Sequence, residues 1–332
     1  MANIKDIAKL AGVSKSTVSR VVSNNGFVKE ETRAKIMKVM ENLNYRPNMF
    51  AKGMRTNRSF SIGILFPDLK NPFFTEWYSI VDTISRERGY LNYICVTDPK
   101  GESEEMRIDD LLARSIDGII IFSYRKDDAF IEKLRKINKL TPILCCDSMF
   151  LDSGLSCICA DGEKGTYNAT QKLIESGNRN IAYIKGKDEF SVVDNRFEGY
   201  LKCLADSSLK INDAHIISAN FTRGCGYKAA EELMEHSNPP DAIMAATDLM
   251  AMGVLDYLNK KNYHIPDDVA VFGYDNLVAA KNTSPPLSTI ALPFNEIAEK
   301  SINTLIKLIE EDKTDIVVEM FDCELKMRNT TK

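Results

Sequence analysis

The chain has 332 residues, 44% hydrophobic and 27% charged, with a net charge of −4. That length suits two or three domains with a sizeable core, and the composition excludes disordered, fibrous and small disulfide-scaffold classes. No apolar run approaches the roughly 20 residues of a membrane helix, and the polar N-terminus carries no secretory signal, so a cytoplasmic protein with no membrane partner is expected. Charge is unevenly placed. Residues 1–60 hold 12 Lys and Arg against 4 Asp and Glu, a net of +8; the remainder hold 31 against 43, a net of −12. A basic head on an acidic body fits a small nucleic-acid module joined to something else.

Apolar residues Ile4, Ile7, Ala8, Leu10 and Ala11 follow the spacing of one helix face. Asn3 is a plausible N-cap, and Asp6 sits in the first turn, where the helix dipole favours an anion. Gly12 breaks the helix and Ser14 restarts one, with Val18, Val21 and Val22 as its buried stripe. Two short helices joined by a tight turn form a helix-turn-helix. The outward residues of the second helix are Lys15, Ser16, Thr17, Ser19 and Arg20, polar groups suited to probing a major groove. A third helix to about Asn42 supplies Ile36, Val39, Met40 and Leu43 and completes an all-α domain ending near Tyr45. The stretch 46–58 then carries four cations and no anion. Pro47 can start a helix, but Gly53 costs a helix interior roughly 1 kcal/mol, so the stretch reads as a basic linker or a helix formed only on DNA.

From Ser61 the pattern changes to apolar strands alternating with amphipathic segments of helical length. Strands are expected at 61–67, 91–97, 118–123, 142–147, 157–161, 180–186, 215–220, 242–248 and 269–275. Such alternation implies parallel, doubly wound sheets, and about 270 residues suit two lobes better than one. Several strands end in a polar residue and a loop, at Pro67-Asp68, Asp147-Ser148, Thr247-Asp248 and Tyr274-Asp275. Those are the places where open α/β sheets bind small molecules. The eight cysteines form no CxxC pair and lie near no cluster of the three histidines, so packed reduced thiols are expected and no metal site. No GxGxxG, phosphate-loop lysine, HExxH or GxSxG motif stands at a strand–helix junction, and no cofactor or enzymatic activity is expected.

These residues resemble the lactose-repressor (LacI/GalR) family of bacterial transcriptional regulators over nearly the whole chain. The resemblance is carried by IKDIAKLAGVSKSTVSRVVSN and EETRAKIMKVMENLNYRPN in the head. In the body it is carried by IGILFPDLKNPFF, DGIII, NRFEGY, TDLMAMGVL and IPDDVAVFGYDN. It implies a helix-turn-helix domain over 1–46, a hinge over 47–59, and a two-lobed core like the periplasmic sugar-binding proteins over 60–328. The N-lobe would take about 60–160 and 291–319, the C-lobe about 161–290 and 320–328, with crossovers near 160, 290 and 320.

Carried over by position, the resemblance assigns base reading to Lys15, Ser16 and Arg20, with Thr17 beside them, and further DNA contact to the hinge residues Asn48, Lys52, Met54 and Arg55. Met54 stands where the family has a leucine that wedges into the minor groove; methionine is as large and more flexible. Lys29 stands where many members have a Ser helix cap. The resemblance places Phe73, Asp147, Phe190, Val192, Arg196, Phe221, Thr247 and Asp275 at effector positions. Arg196 and Asp275 could each bind adjacent hydroxyls, while Phe73 covers an apolar sugar face. Thr247 replaces a common Asn, Leu292 a frequent Gln, and Phe190 and Val192 smaller or polar residues. The pocket is thus more apolar than a generic sugar site.

The expected function is a sequence-specific repressor of carbohydrate-utilisation genes. It would bind palindromic operator DNA as a homodimer and respond to a small sugar-like effector. The alternative is a co-repressor-dependent regulator answering to a sugar acid, phosphosugar or other metabolite. A periplasmic solute-binding protein shares the body but lacks the basic head, and a sugar-active enzyme needs a nucleophile and base that the sequence does not offer. With no leucine heptads after the last strand, a dimer is expected and not a tetramer.

Overall fold

The computed structural model describes residues 3–22, 26–46, 53, 56, 58–98, 103–125, 127–187, 195–311 and 315–332. It divides into two compact units, Met1–Ser59 and Phe60–Lys332.

In the first unit α1 (Ile4–Ala11), α2 (Lys15–Val22) and α3 (Glu30–Asn42) pack around Ile7, Ala11, Val18 and Ile36. Asn3 closes a capping box: its Oδ1 accepts from the Lys5 and Asp6 amides at 2.8 and 3.3 Å, while its own N–H donates to Asp6 Oδ2 at 2.9 Å. Gly12 ends α1 at φ +66°, a left-handed conformation that favours glycine. Ser14 then opens α2, its Oγ accepting from the Thr17 amide at 3.1 Å. One residue of the expected face is misplaced. Leu10 is 60% exposed, because it lies about 100° round the helix from Ala11 and off the stripe of Ile4, Ile7 and Ala8. Lys29 offers α3 no side-chain cap, and Glu30 and Glu31 occupy the first turn, where the helix dipole favours them.

In the second unit the described residues form two six-stranded sheets. The first runs β11 (Val318–Phe321), β5 (Ser156–Ala160), β4 (Ile143–Cys145), β3 (Gly118–Ile121), β1 (Ser61–Phe66), β2 (Leu91–Val96). The second runs β12 (Glu324–Lys326), β10 (Ser288–Ala291), β9 (Ala270–Asp275), β8 (Ala242–Ala245), β6 (Ile181–Gly186), β7 (Ile216–Ala219). All pairings are parallel except that of β12 with β10. Helices α4 (Pro72–Glu87), α5 (Glu104–Leu112), α6 (Asp128–Asn138) and α11 (Phe294–Glu311) cover the first sheet. Helices α7 (Gly162–Glu175), α8 (Asn195–Asp206), α9 (Arg223–Met234) and α10 (Asp248–Lys260) cover the second. Strand β1 shows why the strands read as continuous apolar runs. Ile62, Ile64 and Phe66 face the cluster of α4 and α11, and Leu65 faces that of α5 and α6, so both faces are buried.

The chain passes between the sheets at Asp161, at Leu292–Pro293 and at Asp322–Cys323. The last passage lies just beyond the crossover expected near 320, because β11 pairs with β5 through Phe321. Loops after the carboxyl ends of strands from both sheets line one cavity of about 90 Å³.

Candidate functional site

In the smaller unit α2 presents Lys15, Ser16 and Arg20 to solvent, while Thr17 and Ser19 are half-buried. Ser14 Oγ lies 2.7 Å from Ser16 Oγ and 2.8 Å from Thr17 Oγ1, so the hydroxyl groups at the start of the helix form one linked set. The exposed face therefore combines two long cations with short hydroxyls, the chemistry that reads phosphates and base edges. The expected hinge contacts Asn48, Lys52, Met54 and Arg55 lie outside the described residues.

In the larger unit Phe73, Asp147, Arg196, Phe221, Thr247 and Asp275 all line one cavity between the sheets. Phe190 and Val192 lie outside the described residues. From the first sheet's side, Asn71 caps α4, its Oδ1 accepting from the Phe73 amide at 3.0 Å, with Pro72 as the first helical residue. This fixes Phe73 at the helix start, edge-on to Phe122 with centroids 6.0 Å apart and tilted on Phe294 at 5.2 Å. Asp147 caps the 3-10 turn Ser148–Phe150, its Oδ1 accepting from the Met149 amide at 3.4 Å.

From the second sheet's side, Arg196 lies in the first turn of α8. Its Nη1 donates to the Ala246 carbonyl at 2.6 Å, and its guanidinium sits 3.8 Å from the centre of the Tyr274 ring. Thr247 caps α10, its Oγ1 accepting from the Met250 amide at 3.3 Å, which leaves the hydroxyl proton to give. Phe221 rests on Gly186, where a Cβ would come within 2.5 Å of its ring, so only glycine lets that ring lie there. It also meets Tyr124 from the first sheet's side, centroids 5.7 Å apart.

Asp275 ends β9 and is 2% exposed. Its Oδ2 is buried without a hydrogen-bond partner. Burial pushes its carboxyl well above the usual range; the Arg196 charge opposes this, and the neighbouring Asp248 adds to it. An acceptor kept dry and unsatisfied in a polar-edged cavity is a place for a ligand's donor. Tyr274, at the strand end that also carries Asp275, lines the cavity too, as do Asn71 and Tyr124, which the sequence did not single out. Asn71 precedes a proline at a helix start, a legible cap signal; Tyr124 looks like an ordinary core position.

All eight cysteines are free thiols, and burial raises the pKa of Cys145 and Cys146. Among the described residues no three His, Cys, Asp or Glu side chains come together as metal ligands, and no helix is long and apolar enough to cross a membrane.

Two family models match the chain. One, described as bacterial regulatory proteins of the lacI family, spans residues 3–48; the other, periplasmic binding proteins and sugar binding domain of the LacI family, spans 59–328. The chain is similar to the HTH-type transcriptional repressor PurR of Vibrio campbellii, 32% identical with 100% of this chain and 99% of the relative covered. It is also similar to Catabolite control protein A of Priestia megaterium, 29% identical with 99% of each covered. Its fold matches the Lac repressor dimer solved with operator and the anti-inducer ONPF, at a TM-score of 0.87, 24% identity and 99% coverage of each chain. It also matches the regulator CelR solved with cellobiose, at a TM-score of 0.73 and 26% identity, over 99% of this chain and 100% of that one. A helix-turn-helix head, a body of two mainly parallel sheets with a cavity between them and relatives spanning the full length agree: the chain belongs to the LacI family of DNA-binding transcriptional regulators.

Proposed function

We propose that this protein is a cytoplasmic repressor whose affinity for a palindromic operator is set by a small polyhydroxylated ligand bound between its two sheets. The observation that carries the ligand reading is the pairing of Asp275 Oδ2, buried and unpartnered, with the Arg196 guanidinium in the same cavity. The Asp275 carboxyl supplies an open oxygen and Arg196 supplies donors, and Phe73, Phe122 and Phe221 supply flat apolar walls. That combination suits a sugar ring, polar at its edge and apolar on its face. In the DNA reading, Lys15, Ser16 and Arg20 contact base edges, with Thr17 beside them, and Asn48, Lys52, Met54 and Arg55 contact the minor groove and backbone.

A homodimer is favoured by β2, one of the two edge strands of its sheet. Leu91, Tyr93, Ile94 and Val96 are 39 to 60% exposed along it, an apolar edge of the kind that pairing covers. Two subunits would place their recognition helices in successive major grooves, matching operator symmetry to protein symmetry. Ligand binding between the lobes would alter the hinge spacing, a coupling of typically about 1–3 kcal/mol between the two sites. Among the described residues the cavity assembles no nucleophile with a base and an orienting partner, which favours a regulator over an enzyme.

A second reading is a planar or acidic metabolite acting as co-repressor. The aromatic walls would take a flat ring, and Arg196 would take a carboxylate or phosphate as readily as hydroxyls. The test is a thermal-shift screen of neutral sugars, sugar acids, phosphosugars and nucleobases on the full-length protein. A neutral sugar raising the melting temperature supports the first reading. A shift produced only by acids, phosphosugars or nucleobases overturns it in favour of the second.

A further inference from the structure

The turn that carries Asp275 is held in a conformation side chains rarely adopt. Asp275 has φ +114° and Asn276 has φ +57°. Left-handed backbone at two successive residues with side chains persists only where the surroundings over-determine it. Here they do so from three residues that line no part of the cavity.

Asp248, the first residue of α10, is fully buried, and both its oxygens are used. Oδ1 accepts from Thr289 Oγ1 at 2.6 Å, and Oδ2 accepts from the Leu277 amide at 2.8 Å. Thr289 Oγ1 also accepts from the Asn276 amide at 3.2 Å, so one hydroxyl joins the turn to the buried carboxylate. Arg328 donates from Nη2 to Asn276 Oδ1 and from Nη1 to the Leu287 carbonyl, each at 2.6 Å. Gly273 makes room for the set: a Cβ there would lie 2.3 Å from Asp248 Oδ1. A carboxylate serving only the start of α10 would need neither Thr289 nor the Leu277 amide.

We propose that Asp248, Thr289 and Arg328 are positioning residues that hold the 275–277 turn in its left-handed path and so fix the Asp275 carboxylate inside the cavity. The relevance to effector control rests on the reading of that cavity as the effector site, but the positioning itself is measurable with no ligand present. Released from the three, the turn would relax towards negative φ and swing the carboxylate out of its dry seat.

The experiment uses full-length protein and a matched pair of variants. Thr289→Val keeps the volume and removes the hydroxyl; Thr289→Ser keeps the hydroxyl. The first readout is the titration of the Asp275 carboxyl carbon by 13C NMR. Its midpoint is expected to fall by at least one pH unit in Thr289→Val and to stay near the wild-type value in Thr289→Ser. The second compares Asp275→Gly with Asp275→Ala. Glycine tolerates φ +114°, so the Gly variant should melt several degrees above the Ala variant. That gap should shrink to less than half when Thr289→Val is added, since a freed turn holds no strain to relieve. An unchanged midpoint in Thr289→Val, with or without a change in the gap, would overturn the proposal. So would equal behaviour of the Val and Ser variants. Failure of the effector reading alone would leave both readouts as expected.

Discussion

The Arg196 guanidinium lies 3.8 Å from the centre of the Tyr274 ring and hands one N–H to the Ala246 carbonyl at 2.6 Å. The plane of the fork is thereby set before any ligand arrives, and the entropy of ordering a long side chain is spent in folding and not in binding. Arginine can satisfy the ring, the carbonyl and a ligand together; lysine, a point charge, cannot.

Arg196→Lys is therefore expected to weaken binding of the sugar found by screening at least about tenfold, roughly 1.4 kcal/mol, with little change in folding. Titration calorimetry against the wild type checks this. An unchanged affinity would show that only the charge at this position matters.

On the DNA side, Arg20 is exposed in the last turn of α2, away from the buried Val18 and Val21. Arg20→Ala is expected to relax preference at one operator position at a cost of about 1–3 kcal/mol. Selection of binding sites from a random pool by each protein provides the measurement. Equal weakening on all sequences would make Arg20 a phosphate contact instead.

Glu104 makes a separate prediction about pH. It is 1% exposed, Oε1 accepts from Ser123 Oγ at 2.6 Å, and Oε2 has no partner. Burial pushes its carboxyl up from 4.5 to about 7, with the Ser123 hydrogen bond and the Arg125 charge opposing. Between pH 4.5 and 7 the folded state therefore binds a proton that the unfolded state has lost. Its contribution is full below 4.5 and disappears as pH rises through about 7, a change of about 3 kcal/mol. Glu104→Gln removes this titration, so melting temperatures of wild type and variant should diverge in the variant's favour from pH 5 to 8. Parallel curves would mean that the Glu104 carboxyl titrates normally.

How much of this is legible in sequence depends on what each residue meets. The β1 run SIGILF reads correctly as a strand because both its faces are buried. The chain segments β11 and β12 are four and three residues long with half-exposed side chains, too short and too wet for an apolar run to show. Leu10 looks like a core position until its angle round the helix is counted. Glu104 sits in the acidic run SEEMRIDD, which reads as a solvated helix start, yet tertiary packing buries it. In the cavity, the polar strand ends Asp147, Thr247 and Asp275 are visible as candidates because parallel sheets bind ligands there. What sequence does not show is Tyr274 beneath Arg196, or the left-handed turn at Asp275, since Asp-Asn carries no glycine to announce it. The brace of Asp248, Thr289 and Arg328 joins residues up to 80 positions apart and leaves no periodic trace.

The most direct test of effector control is the operator affinity of folded Asp275→Ala, measured with and without the ligand that stabilises the wild type, well below melting. Asp275 supplies the buried, unpartnered acceptor, so its removal should abolish the ligand-dependent change and leave the ligand-free operator affinity within about twofold of wild type. A variant that is folded and keeps the full ligand-dependent change would contradict the assignment of Asp275, and with it the cavity mechanism proposed for this regulator.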